Sequence, residues 1–202
     1  MVQNLQPKPR VNDGSGARLR EDAVTALRWA TIHQLQAAED AKRRRRAAVE
    51  LDYPHVKSRA PDGEIAALIH AAQNDSSIEV RKQATFTLMY RYRRSQDHRK
   101  HIRAERMLEL TLVHLQDKNA EIRRAGAFAA KAMGSDAAPA TLTLIELLDD
   151  PEYRVRFRAI QALGAIGMHA KQAEHELEKL LDDDDERIRK AARDALKMIK
   201  RL

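Results

Sequence analysis

Four times in this chain an aspartate stands six residues ahead of an arginine: Asp75 and Arg81, Asp117 and Arg123, Asp150 and Arg156, Asp183 and Arg189. Carboxylates set this regularly against cations resemble acid–base pairs. Other groups could also do chemistry. His98 and His101 stand at i and i+3, on one face of a helix. Two imidazoles without a third ligand, among cationic neighbours, do not make a metal site. Asp182 to Glu186 is a run of acids that lacks the glycine a calcium loop uses at its bend, and it reads as the capping turn of a helix. His169 and His175 flank a turn and read as surface residues. The chain has no His-Glu-x-x-His pattern and no phosphate-cradling glycine loop. It has no cysteine, which excludes disulfides, thiolate-bound zinc and thiol catalysis and suits a reducing compartment. The expectation is therefore no catalytic residue, no metal and no cofactor.

Two basic segments offer recognition instead. Arg43, Arg44, Arg45 and Arg46 are consecutive. Tyr90 to Arg103 carries Arg91, Tyr92, Arg93, Arg94, Arg99, Lys100 and Arg103. From Val80 to Arg106 there are 9 Lys and Arg against 2 Asp and Glu. The net charge of +7 is uneven: residues 1–106 hold 21 cations and 13 acids, residues 107–202 hold 16 and 17. Attraction for an anionic partner is thus expected of the first half.

These groups must be placed by helices. With 202 residues, 4% aromatic, 33% charged, 7 Gly and 6 Pro, the composition favours helix over sheet. No apolar run is long enough to span a membrane, and the first residues carry no secretory h-region. Residues 1–19 read as a flexible basic tail. A helix is expected over about Arg20–Ala37 and a second over Glu39–Leu51, with a loop at 52–63. Trp29 in the first helix either shields the end of an array or offers a stacking platform. Beyond Glu64 the apolar positions pair into helices. In each pair the second helix starts from the aspartate, with Asp150 at the N-cap and Pro151 in the first turn.

The spacing decides the architecture. Val80, Ile122, Val155 and Ile188 each lie five residues after the aspartate and directly before the arginine. Ile122 to Val155 and Val155 to Ile188 are both 33 residues. A fixed period of this size with two helices per unit signals stacked helix pairs. Small residues four and seven positions on, such as Gly126 and Ala129, let neighbouring helices approach. From Val80 to Ile122 the interval is 42, nine longer, and the excess falls in Tyr90–Arg103. Such an insertion maps to one face of a solenoid.

The pattern Asp-x4-(Val/Ile)-Arg-x2-(Ala/Gly)-x2-(Ala/Thr)-(Leu/Ala) resembles the HEAT repeat family, in particular short bacterial HEAT-like repeats similar to those of phycobilin lyases. The resemblance implies an all-α, right-handed α-solenoid of about five stacked helix pairs over residues 20–202, in units 20–52, 62–95, 102–134, 138–167 and 171–202. The first is degenerate, without the aspartate or the Val-Arg pair. The resemblance also implies that the Asp and Arg residues form a structural ladder along the inter-helix turns.

The expected function is a non-enzymatic, cytoplasmic protein–protein interaction scaffold. Its basic N-terminal half would bind an acidic partner protein through Arg43–Arg46 and Arg91–Arg103. The same patches suit a nucleic acid, and the repeat resemblance brings in a bilin lyase-like activity as a third reading. Ile199 and Leu202, with no further unit after them, are expected to stay partly uncovered.

Overall fold

The computed structural model describes residues 30–36, 39–51, 62–94 and 104–201. All regular structure among them is helical. Residues 30–36 are helical and precede α1 (Ala41–Glu50). The chain continues through α2 (Asp62–Asn74), α3 (Ile78–Arg94), α4 (Ala104–Leu115) and α5 (Ala120–Met133). Then come α6 (Thr141–Glu146), α7 (Tyr153–Ile166), α8 (Glu174–Lys179) and α9 (Glu186–Ile199). Tight 3-10 segments, Gly134–Ala140 and Gly167–Ala173, lead into α6 and α8. The expected tail and most of the expected first helix lie outside the described residues. Asp62 and Gly63, expected in a loop, already belong to α2.

The pairs stack in two layers. The second helices α1, α3, α5, α7 and α9 pack successively on one another, and 30–36, α2, α4, α6 and α8 precede them in each pair. The β-branched residues Val80, Ile122, Val155 and Ile188 are all buried. So are the leucines that meet them, among them Leu68, Leu88, Leu110, Leu144, Leu163 and Leu177. Each such side chain contributes about 2 kcal/mol of transfer free energy. Small residues set the spacing. A Cβ on Gly126 would stand 2.9 Å from the His114 Cβ and the Leu115 nitrogen, and one on Gly164 2.9 Å from the Ala195 Cα. The first contact brings α5 against α4, the second α7 against α9.

The turn between paired helices differs from the expectation in one respect. Asp150 is not the cap of α7 and Pro151 is not in its first turn; Glu152 is the capping residue. Asp150 lies two residues earlier and accepts the Glu152 amide at 2.9 Å. The same bond recurs from Ser77 to Asp75 at 2.8 Å, from Asn119 to Asp117 at 2.7 Å and from Asp185 to Asp183 at 2.8 Å. The aspartate thus organises the turn, while Asn119 and Asp185 cap their helices with their own side chains. In the last three units the arginine binds the same turn from the other side. Arg123 donates to the carbonyls of Asp117 and Lys118, Arg156 to those of Asp150 and Pro151, Arg189 to those of Asp183 and Asp184.

Two of the repeat arginines, Arg81 and Arg123, reach the next unit. Arg81 donates to Asp117 at 2.8 Å, and Arg123 holds Asp150 with two bonds of 2.6 and 3.0 Å. A further rung comes from the degenerate first unit. Arg44 donates to Asp75 at 2.7 and 3.0 Å and to the Glu39 carbonyl at 2.9 Å. Arg44 stands four residues after the cap Asp40, as Arg123 does after Asn119. Burial opposes the charge on Asp75, yet the bonds from Arg44 and the Ser77 amide hold its carboxyl below the usual range. Arg156 makes no bond to Asp183; its guanidinium carbon lies 6.0 Å from the Tyr153 ring centre.

His114 is 1% exposed. Its Nε2 lies 3.0 Å from the Ala72 carbonyl, which can only accept, so that nitrogen carries the proton. Its Nδ1 lies 3.3 Å from the Thr85 hydroxyl. Burial pushes the imidazole below its ordinary value, and Arg81 adds to this while the Ala72 bond and Asp117 oppose it. At the C-terminal end, Ile199 is buried, contrary to expectation, and α9 turns Lys190, Arg193, Asp194 and Lys197 outward. Leu202 lies outside the described residues.

Two outcomes follow for stability. Asp150→Ala strands Arg123 and the Glu152 amide, and is expected to cost about 3 kcal/mol in urea unfolding. Arg156→Ala, whose side chain spans no rung, is expected to cost about 1 kcal/mol. His114 makes stability depend on pH. The unfolded imidazole protonates near 6.5 and the folded one at lower pH, so between the two the unfolded chain binds more protons. Its contribution is complete above about 6.5 and is lost as pH falls towards the folded value. Melting curves between pH 7 and 5 should show a loss in the wild-type chain that His114→Gln lacks.

Candidate interaction face

The second helices carry a common outward register. Five and nine residues after the position preceding each helix stand Arg45 and Val49, Lys82 and Phe86, Arg124 and Phe128, Phe157 and Gln161, Lys190 and Asp194. These positions meet across neighbours. Phe86 packs edge-to-face on Phe128 with ring centres 5.7 Å apart, and the Arg158 guanidinium covers Phe128 at 4.9 Å. Lys82 bridges Glu79 and Glu121, each at 3.0 Å. Lys131 and Arg158 both donate to the Gln161 side-chain oxygen, at 3.2 and 2.8 Å. Arg187 lies over the Tyr153 ring at 4.6 Å.

Charge on this face is strongly biased. The carboxylates Glu79 and Glu121 are consumed by Lys82 and Arg124. Among the described residues, Arg93, Lys131, Arg154, Arg158 and Lys190 have no carboxylate within ion-pair distance. Two of them are held below their ordinary values, by burial first and by neighbouring cations second. Burial, then Arg158 and Arg93, holds the Lys131 amine below its ordinary value. Burial, then Arg124, lowers Arg158 likewise. The neutral oxygen of Gln161 is what separates Lys131 from Arg158. Many acids of the C-terminal half lie elsewhere: Glu146, Glu174, Glu176 and Glu178 on α6 and α8, Asp149, Asp182 and Asp184 in the turns, while Glu121 and Asp194 on this face are paired with Lys82, Arg124 and Lys197. A balance of −1 over residues 107–202 therefore conceals two oppositely charged sides.

The residues singled out from sequence separate into three groups. Arg43, Arg45, Arg46 and Arg93 are exposed, with Arg46 paired to Glu50 at 3.0 Å. Arg44, Arg91 and Tyr92 are engaged inside the fold. Arg44 forms a rung to Asp75. Arg91 pairs at 2.9 Å with Glu64, which is completely buried, and donates to the Leu51 carbonyl. Tyr92, 6% exposed, donates to Asp136, and burial with that carboxylate pushes its phenol up. The physical reason is the helical turn: successive side chains are about 100° apart, so a basic run cannot all face solvent on one side. Arg99, Lys100 and Arg103, and the side chain of Arg94, lie outside the described residues, as do Trp29, His98 and His101. Of the insertion, the structure describes α3 running to Arg94, 17 residues where α5, α7 and α9 have 14. Lys131, Arg154, Arg158 and Lys190 were not singled out from sequence. Reading the 3.6 period outward, across units, would have found them.

Between α7 and α9 the face opens into a groove of about 470 Å³. Lys131, Phe157, Gln161, Gly164, Ala165, Lys190 and Met198 are among the residues that line it. Among the described residues no three potential metal ligands cluster, and no helix is long and apolar enough to cross a membrane.

Comparison with known proteins agrees with this architecture. No curated protein matches the sequence. Among solved structures, an engineered protein shares 21% identity over 93% of this chain and 85% of its own, with a TM-score of 0.61. A designed armadillo repeat protein in complex with the peptide (KR)4 shares 17% identity over 92% and 87%, with a TM-score of 0.63. At such identities the likeness concerns the fold: an all-α repeat solenoid. A profile of HEAT repeats matches residues 108–197. The matched stretch spans the third to fifth helix pairs, which carry the regular Asp and Arg turns and most of the unpaired cations and are similar to HEAT repeats.

Proposed function

We propose that the chain is a non-enzymatic interaction scaffold whose second-helix face binds an acidic partner protein. One observation carries this reading: Arg93, Lys131, Arg154, Arg158 and Lys190 share that face without a neutralising carboxylate among the described residues. Holding like charges together without a partner opposes folding, and an anionic ligand relieves it. Repeat solenoids offer extended surfaces of this kind and little preorganised chemistry. The designed armadillo neighbour is in complex with a basic peptide; a cationic face selects the opposite sign. The aromatic residues favour a protein over a nucleic acid. Phe86 and Phe128 are packed on each other, with Arg158 over Phe128, and Tyr153 stacks with Phe157 at 6.1 Å. Rings so committed are poor platforms for bases. The face extends the reading from the N-terminal half, where Arg43, Arg45 and Arg46 lie, to the last helix.

Fluorescence anisotropy with a labelled Glu/Asp-rich peptide at low salt tests the reading. Binding is expected to weaken about tenfold or more in the combined variant Arg93→Glu, Arg154→Glu, Lys190→Glu. Unchanged affinity, or tighter binding of an oligonucleotide of equal charge, would overturn it. Lys131→Gln separates function from stability. It removes a cation held among cations, so thermal unfolding should show a gain of about 0.5 kcal/mol while peptide affinity falls.

A further inference from the structure

The groove between α7 and α9 differs from the rest of the basic face because it is apolar inside. Gly164 and Ala165 form its floor, Phe157 and Met198 its walls, Lys131 and Lys190 part of its rim. Its existence follows from the repeat. The outward positions of α5 are filled by Phe128 and by Arg158 leaning across from α7. Gly164 occupies in α7 the position that Lys131 has in α5, so no side chain rises there. Met198 of α9 stands 44% exposed beside it. A volume of about 470 Å³ is near the lower end of the roughly 300–1,000 Å³ of small-ligand pockets. It has room for a large side chain and adjoining backbone, not for a folded surface. The thioether of Met198 is unbranched and adapts its shape to what enters.

Resting on the scaffold reading above, we infer that this groove takes one large apolar side chain, Leu, Phe or Met, from an acidic peptide segment whose carboxylates meet Lys131 and Lys190. Charge decides the occupant. The rim carboxylate, Asp194, has Lys197 3.8 Å away, while Lys131 and Lys190 are without acid partners among the described residues. This chain's own first twenty residues are basic, with Lys8, Arg10, Arg18 and Arg20, and would be repelled. The carboxylates flanking the anchor supply steering, and the anchor supplies the preference for one register along the face.

Two labelled peptides of equal negative charge test the inference, one of Glu and Asp alone and one with a single central Leu. The Leu peptide is expected to bind about tenfold more tightly. Ala165→Leu fills the groove without altering charge and Met198→Ala removes a wall; each should erase that preference while leaving the all-acid peptide unchanged. Circular dichroism reports whether each variant is folded, and Met198→Ala, at an exposed position, carries the test if Ala165→Leu is not. Equal affinity of the two peptides for the wild-type chain would overturn the anchor and leave the scaffold reading standing. Absence of binding by both would overturn the two together. A preference that survives in both folded variants would place the anchor elsewhere and overturn the groove assignment.

Discussion

A single carboxylate in each of the second, third and fourth units holds the array in register. Asp75, Asp117 and Asp150 each bind the amide of their own turn and receive the guanidinium of the preceding unit. The two interactions share the same small group of atoms, so the turn geometry and the inter-unit geometry cannot vary separately. Both partners of the Arg123–Asp150 rung are largely shielded from water, with side-chain exposures of 16% and 3%. There an unmade bond is expensive, and loss of either partner leaves a charge with no substitute. Hydrophobic packing supplies most of the stabilisation, but leucines and alanines tolerate sliding. The rung, with its directional bonds, specifies which slide is native.

Fixing the register fixes what the outward positions meet. Once α5 and α7 are aligned by Arg123 and Asp150, Arg158 lies over Phe128 and shares Gln161 with Lys131. The cationic face is thus a consequence of structural bonding on the turns. Many carboxylates of the C-terminal half sit on the first helices and in the turns, where Asp117, Asp150 and Asp183 bind turn amides, and so are withheld from the other side. A charge-balanced stretch of chain becomes a polarised surface because the two helices of a pair face opposite ways.

Several arginines look alike in sequence and end in unlike places. Arg43, Arg44, Arg45 and Arg46 are neighbours, yet Arg44 alone is drawn into a rung, since it alone stands four residues after a cap and opposite Asp75. Arg91 and Arg93 belong to one basic run, yet Arg91 compensates the buried Glu64 while Arg93 remains in solvent. The 33-residue period and the β-branched residue beside each arginine were enough to read the helix pairs, their stacking and the buried faces. The position of Asp150 was misjudged by two residues, because an aspartate that organises a turn and one that caps a helix look the same in a linear pattern.

The sequence by itself determined the repeating helix pair and the stacked architecture, because periodicity in apolar residues is a local property that every unit states again. Only the tertiary structure decided which cations are spent and which are free. That outcome depends on whether a carboxylate from the neighbouring unit arrives within a few ångströms, and Arg81, Arg123 and Arg44 find one where Arg156 does not reach Asp183. The residues that make the candidate face, Lys131, Arg154, Arg158 and Lys190, are unexceptional in their own helices. Stacking brings them to one side, and among the described residues no carboxylate comes within ion-pair distance of them.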